Sequence, residues 1–261
     1  MIESLHSPHI GRVKALLGSR GKKERKESGL FVAEGIQFLR EASVAGAIPE
    51  IEILYLTQVG REKAELSGLQ LNHLEVINVS ETVMAAMGET VTPQGILGIC
   101  RIPQRNESSL VINDQTHLLF LHEIQDPGNA GTILRTADAT GFSACLTSPN
   151  SVDFYSPKVV RASAGSLWHT PLFERISLDG IISRWPNKNI FALDGHGQKS
   201  LLEIQTQGPS LWIFGNEAHG LQTLAINSRI IAVNIPMAGN AESLNLASAA
   251  AIVMFRVTSP S

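Results

Sequence analysis

Cysteine is almost missing from this chain. Cys100 and Cys145 are the only two in 261 residues, and each sits in an apolar stretch. That argues against a disulfide framework and for a reduced, cytoplasmic protein in which both thiols are small core residues. No apolar run approaches the ~20 residues that a membrane-spanning helix needs. The start, Met1-Ile2-Glu3-Ser4-Leu5-His6, has neither the basic opening nor the apolar centre of a secretion signal. A large excess of either charge is also lacking, with a formal net charge of −3. The eight histidines show no metal-ligand spacing, so no metal is expected. His122-Glu123-Ile124-Gln125-Asp126 opens like a zinc-protease motif but lacks the second histidine. Asp194-Gly195-His196-Gly197-Gln198-Lys199-Ser200 fails the Walker pattern because Gly and Lys are not adjacent. There is no Gly-x-Gly-x-x-Gly after a first strand and no Gly-x-Ser-x-Gly elbow, which disfavours dinucleotide and esterase chemistry.

Hydrophobic residues make up 43% of the chain and charged residues 17%, as in ordinary globular proteins. The charge is unevenly spread. Residues 1–30 hold seven Lys/Arg against three Asp/Glu, while the rest is mildly acidic. The cluster Arg20-Gly21-Lys22-Lys23-Glu24-Arg25-Lys26 is either a solvated loop or a phosphate-contacting arm.

Periodicity predicts a helix over 5–17, capped by Ser7 with Pro8 in its first turn. Strands at 30–33, 51–56, 74–79 and 95–102 then alternate with helices at 35–45, 61–66 and 80–87, a small α/β domain. Residues 103–109 turn polar, which places a domain boundary there. The organisation expected is a domain over 1–105, a linker over 106–116 and a second domain over 117–261. Beyond the linker, strands at 118–124, 143–147, 171–174, 190–193, 211–214 and 230–234 alternate with helices at 130–140, 157–164, 178–185, 220–226 and 244–257. That pattern predicts an α/β fold with a mostly parallel sheet.

Three segments carry the chemistry, each at the end of an apolar strand or the start of an apolar helix. They are Gly215-Asn216-Glu217-Ala218-His219-Gly220-Leu221, Ile235-Pro236-Met237-Ala238-Gly239 and Ser243-Leu244-Asn245. Ligands of open α/β sheets bind beyond the carboxyl ends of the strands, and glycines there let the backbone approach them. Earlier in the chain, Asp126-Pro127-Gly128-Asn129-Ala130-Gly131 leads into a helix carrying Arg135. We place Asn129 at its N-cap.

In this order the motifs resemble the SpoU/TrmH family, S-adenosylmethionine-dependent RNA ribose 2′-O-methyltransferases of the SPOUT superfamily. The resemblance covers about residues 115–258, with a weaker stretch at Pro157-Lys158-Val159-Val160-Arg161-Ala162. Phe31-Val32-Ala33-Glu34-Gly35 and Thr92-Pro93-Gln94-Gly95-Ile96-Leu97 resemble that family's substrate-binding domain, which is akin to small RNA-binding ribosomal proteins. The resemblance implies a C-terminal trefoil knot, a homodimer and an RNA substrate, ribosomal rather than transfer RNA. It implies Asn129, Arg135, Glu217, Ser243 and Asn245 as the catalytic set. For the cofactor it implies Leu193, Asp194, Gly195, Gly215, Asn216, Gly220, Ile235, Pro236, Met237 and Leu244. With the charge pattern, it names Lys22, Lys23, Arg25, Lys26 and Arg161 as RNA contacts. The chain departs from the family at Ala218-His219 and Leu246-Ala247. The alternatives are a transfer RNA methyltransferase or an RNA-binding module with an inactive site, although Arg135 and Asn245 are both retained.

Overall fold

The structure is a computed structural model, and it describes residues 1–44, 51–186, 189–205, 208–216, 221 and 228–259. Contacts divide the chain into two compact units, Met1–Gln104 with Asp153–His169 and Arg105–Val152 with Thr170–Ser261.

In the first unit, α1 (Pro8–Leu17) starts where the Ser7 hydroxyl accepts from the His9 amide, and it buries Ile10, Val13, Leu16 and Leu17. The basic cluster is not a loop but a helix, α2 (Gly21–Ser28), which stops at Gly29 in the left-handed conformation. Next come β1 (Leu30–Glu34), α3 (Ile36–Val44), β2 (Ile51–Leu56) and α4 (Gln58–Leu66). They are followed by β3 (Val76–Asn78), α5 (Glu81–Met87) and β4 (Ile96–Arg101). Thr57 and Ser80 cap α4 and α5 by accepting from the amides of Gly60 and Val83. The strands form one sheet in the order β1-β4-β2-β3, with β4 antiparallel to both neighbours and β3 parallel to β2. A core of Ile10, Val13, Leu16, Tyr55, Val83, Met84 and Met87 joins α1 and α5 to this sheet.

The second unit begins with β5 (His117–Leu121), α6 (Pro127–Thr140) and β6 (Ala144–Thr147). The chain then returns to the first unit for Asp153–His169, which holds α7 (Pro157–Ser163). This grouping differs from a single cut at the polar linker. The returning segment is held by buried chemistry. Phe31, Phe38 and Trp168 pack with ring centroids 5.0–6.2 Å apart, and the Trp168 indole N–H donates to the Phe38 carbonyl at 3.1 Å. Arg25 donates to Asp153 through Nη2 at 2.7 Å and Nε at 2.9 Å.

The rest of the second unit comprises β7 (Leu172–Phe173), α8 (Leu178–Arg184), β8 (Ile190–Leu193), β9 (Lys199–Ser200), β10 (Ser210–Phe214), β11 (Ile231–Asn234) and α9 (Leu246–Thr258). Its seven strands form a wholly parallel sheet in the order β7-β6-β5-β10-β8-β11-β9. Every residue of β10 is buried, as expected of a strand covered on both faces. Trp212 stacks on Phe191 of β8 with centroids 4.6 Å apart. The order reverses between β5 and β10, where a doubly wound sheet opens its crevice. The helix expected over 220–226 lies outside the described residues except for Leu221.

Candidate active site

The loops after β8, β10 and β11 and the start of α9 surround one cavity of about 430 Å³ in the second unit. Its walls include Leu193, Asp194, Gly195, Gly215, Asn216, Ile235, Met237, Ser243, Leu244 and Asn245, with Asn129 from α6. Eleven of the side chains and glycines named from sequence therefore meet at one place. Local chemistry explains how each loop is held. The Asp194 amide donates to Val233 at 2.9 Å, and its carboxylate accepts from the His196 amide at 2.8 Å. Gly197 lies against the β11 backbone, where an added Cβ would come within 2.7 Å of Val233. A Cβ on Gly195 would meet nothing within 4 Å, so this edge of the cavity is open backbone. Nδ2 of Asn216 donates to the Glu123 carbonyl at 2.8 Å, and the Ser148 hydroxyl accepts from the Glu123 backbone amide at 2.7 Å. Glu123 has a φ of +50°, a strained value for a residue with a side chain, held by those two bonds.

Asn245 is the centre of the polar side. Its Oδ1 accepts from the amides of Ala247 at 2.9 Å and Ser248 at 3.2 Å, capping α9. Its Nδ2 donates to Oδ1 of Asn129 at 2.9 Å. Two residues 116 positions apart are thus tied by one hydrogen bond, and α6 packs directly on α9.

The start of α6 differs from the expectation. Asn129 is not the N-cap of α6. The helix begins at Pro127, and Asp126 caps it by accepting from the Asn129 amide at 2.6 Å, while the Asn129 side chain accepts from Asn245 at the start of α9. Arg135 does not line the cavity. Six residues along an α-helix places it about 120° round from Asn129, and it is exposed, with no ion pair among the described residues. Pro236 is exposed and also outside the lining, whereas Ile235 and Met237 on either side belong to it. Glu217 and Gly220 lie outside the described residues.

Arg25 is not on the surface with the other basic residues of its helix. It is 5% exposed, paired with Asp153, and also donates to the Leu16 carbonyl. Gly21 leaves room for it, since a Cβ there would come within 2.5 Å of the guanidinium. Lys22, Lys23 and Lys26 of the same helix are exposed, and Arg161 has a side chain 36% exposed. Sequence reasoning missed Glu242, Leu246 and Ala249, which complete the lining. The last two stand three apart in the first turn of α9, the spacing that puts residues on one helix face.

Burial pushes the thiols of Cys100 and Cys145 far above their ordinary range, so neither supplies a thiolate. Among the described residues, no three His, Cys, Asp or Glu side chains converge as metal ligands do.

A parallel α/β sheet with a loop-built, mixed polar and apolar cleft at its switch point defines a nucleotide- or cofactor-binding domain. Residues 116–255 match the SpoU rRNA Methylase family, and residues 10–98 match the MRM3-like substrate binding domain. The chain belongs to the SpoU rRNA methylase family. It is 30% identical over 98% of its length to the 23S rRNA (guanosine(2553)-2′-O)-methyltransferase RlmP of Bacillus subtilis, covering 99% of that protein. Among solved structures, it resembles an AdoMet-bound rRNA methyltransferase from Sinorhizobium meliloti, with TM-score 0.82, 28% identity, and 98% and 96% of the two chains covered. It also resembles the SpoU methyltransferase AviRb from Streptomyces viridochromogenes in complex with AdoMet, with TM-score 0.81, 27% identity and 97% of each chain covered.

Proposed function

We propose that this protein transfers a methyl group from S-adenosylmethionine to a ribose 2′-hydroxyl of ribosomal RNA. The observation that carries the reading is the single cleft in which the three motif segments and the Asn129–Asn245 pair meet. The cleft suits the cofactor chemically. Leu193, Ile235, Met237, Leu244, Leu246 and Ala249 offer apolar wall to a base and a thioether, while Asp194, Asn216, Glu242 and Ser243 offer polar groups to a ribose and an amino acid. Bound there, the sulfonium supplies an electrophilic methyl carbon.

The work of the chain is positioning and charge. S-adenosylmethionine held by this cleft would supply the methyl group to the 2′-oxygen and depart as its neutral thioether, and the hydroxyl proton would pass to solvent. Holding the hydroxyl at attack distance accounts for up to about 7–11 kcal/mol of barrier reduction in the best cases. Asn129 and Asn245, locked to each other, form the rigid polar edge that does this. A guanidinium offers donors only, so the role of Arg135 is to clamp the neighbouring phosphate and stabilise developing negative charge. Its position away from its own cleft fits a homodimer in which it serves the partner subunit. Ile252 and Phe255 on α9, 42% and 69% exposed, offer an apolar face for that association.

The same reading includes a knotted C-terminal segment, supported by the loops that converge on one cleft and by α9 packed on α6. It includes a likeness of the first unit to small RNA-binding ribosomal proteins, with Lys22, Lys23, Lys26 and Arg161 as contacts, supported by their exposure on a basic stretch. A reducing, cytoplasmic setting is supported by two buried free thiols.

The test is nucleoside mass spectrometry of ribosomal RNA from cells with and without the protein. One ribose-methylated nucleotide should disappear, and a base-methylated one in its place sinks the reading. Arg135→Ala should abolish tritiated-methyl transfer while calorimetry shows unchanged S-adenosylmethionine affinity.

A further inference from the structure

The first unit holds a cavity of its own, of about 350 Å³. It is built from the two segments singled out in the sequence, Phe31–Gly35 and Thr92–Leu97, together with α7. Its floor is apolar, with Phe38, Met84, Leu97 and Val160. Its polar groups are held in place by the backbone. Glu34 has a side chain only 9% exposed, with Oε1 accepting from the Glu89 amide at 3.1 Å and Oε2 from the Thr90 hydroxyl at 2.8 Å. Gln94 accepts from the Ile36 amide at 2.9 Å, made possible by Gly35 at a φ of +98°. Arg161 Nη1 stands 4.0 Å from Glu34 and 4.0 Å from Glu89.

Two carboxylates facing one guanidinium make this site unattractive to a phosphate. Each carboxylate oxygen of Glu34 keeps a lone pair after the bonds it already makes. The site therefore asks for a flat, largely apolar group whose edge presents N–H donors beside an acceptor. Unpaired RNA bases are read in this way, through their Watson–Crick edges on apolar or aromatic surfaces. Guanine presents two adjacent donors, N1–H and N2–H, next to the acceptor O6. Uracil presents one donor, and cytosine and adenine lack the donor at the ring nitrogen. We propose that this cavity receives one unpaired guanine of the RNA substrate, with Glu34 accepting from its N1–H and N2–H edge and Arg161 donating to its O6. The proposal rests on the reading that the chain acts on RNA and adds the base that the first unit selects.

The experiment measures anisotropy of fluorescent single-stranded RNA decamers on the full chain. The decamers are identical except for one central guanosine, inosine or adenosine. Inosine keeps O6 and N1–H but lacks the N2 amino group. Guanosine should bind about tenfold tighter than inosine, the size of one hydrogen bond to a charged acceptor, and tighter still than adenosine. Glu34→Gln should erase that preference. Because Glu34 also holds the 89–90 turn, Arg161→Met, at an exposed side chain, serves as the second variant. It should weaken the guanosine decamer about tenfold with an unchanged thermal melt. Binding within twofold for all three decamers overturns the proposal, as does a folded Glu34→Gln or Arg161→Met protein with full guanosine preference. Methyl transfer to ribosomal RNA is measured in parallel. If the wild type transfers none, the reading of the cleft fails, and decamer preference still decides the cavity.

Discussion

The two cavities are kept open by different means. In the first unit the walls are tied by side chains that bond to the backbone of distant segments, as Glu34 does to Glu89 and Gln94 to Ile36. In the second unit the shape comes from the ends of parallel strands, and the side chains hang from a frame already fixed by β8, β10 and β11. A cavity of the first kind is sensitive to single side chains, whereas one of the second kind is sensitive to its backbone turns and caps.

The sharpest way to test that contrast is to cut a tie in the first unit. Arg25→Met leaves Asp153 partly buried without its cation and the Leu16 carbonyl without its donor. The loss should be about 3–5 kcal/mol of unfolding free energy, read by urea denaturation with a tryptophan signal. A cost below 1 kcal/mol would show that the returning segment is held by ring packing alone.

A smaller effect on stability, with a large one on turnover, is expected at Asn245. Asn245→Ser keeps an N-cap oxygen but cannot reach Asn129, so the melt should hold while methyl transfer falls about a hundredfold, the size of a ~1 Å misplacement. Asn245→Ala should lose the same activity and about 1 kcal/mol of stability besides. Equal activity of the Ser variant and the wild type would remove the Asn129–Asn245 pair from the mechanism.

The smallest effect is a pH dependence seated in the second unit. Burial lowers the pKa of His117 below its ordinary 6.5, and burial, opposed by the charge of Glu123, does the same for His122. Between the lowered folded value and 6.5, the unfolded chain binds more protons than the folded one. Stability is therefore full above about pH 6.5 and is lost as pH falls from there through the folded-state value. Denaturation midpoints measured from pH 7.5 down to 5 should fall, and His117→Gln, which keeps a partner for Ser210, should flatten the slope.

Much of this was legible in the sequence for a physical reason. Apolar runs that end in glycine and asparagine mark strand ends, and a switch-point cleft has to be built from such ends. Gly215, Asn216 and Ile235 were readable on that ground, whereas Leu193–Gly195 came only with the family resemblance. What was not readable depended on partners far along the chain. The burial of Arg25 is set by Asp153, 128 residues away, and charge counting sees only a basic run. Trp168 and Tyr155 belong to the first unit because Phe31 is there to receive them. The start of α6 was misplaced because Asp126, Gly128 and Asn129 can each cap a helix, and only the observed bond to the Asn129 amide selects Asp126. Arg135 lies outside the cavity lining because six residues turn it to another face of α6 than Asn129.

The return of Asp153–His169 to the first unit has a consequence for how the chain is made. A nascent chain that has emerged as far as Gln104 carries an uncovered Phe31–Phe38 surface and an Arg25 that still lacks its carboxylate. Residues 105–152 must be synthesised before the missing piece follows, which takes about two to ten seconds at roughly 5–20 residues per second. During that interval the amino-terminal unit is an incomplete fold with a sticky face. Its completion waits for β5, α6 and β6, so the first unit closes only after synthesis of the second has begun.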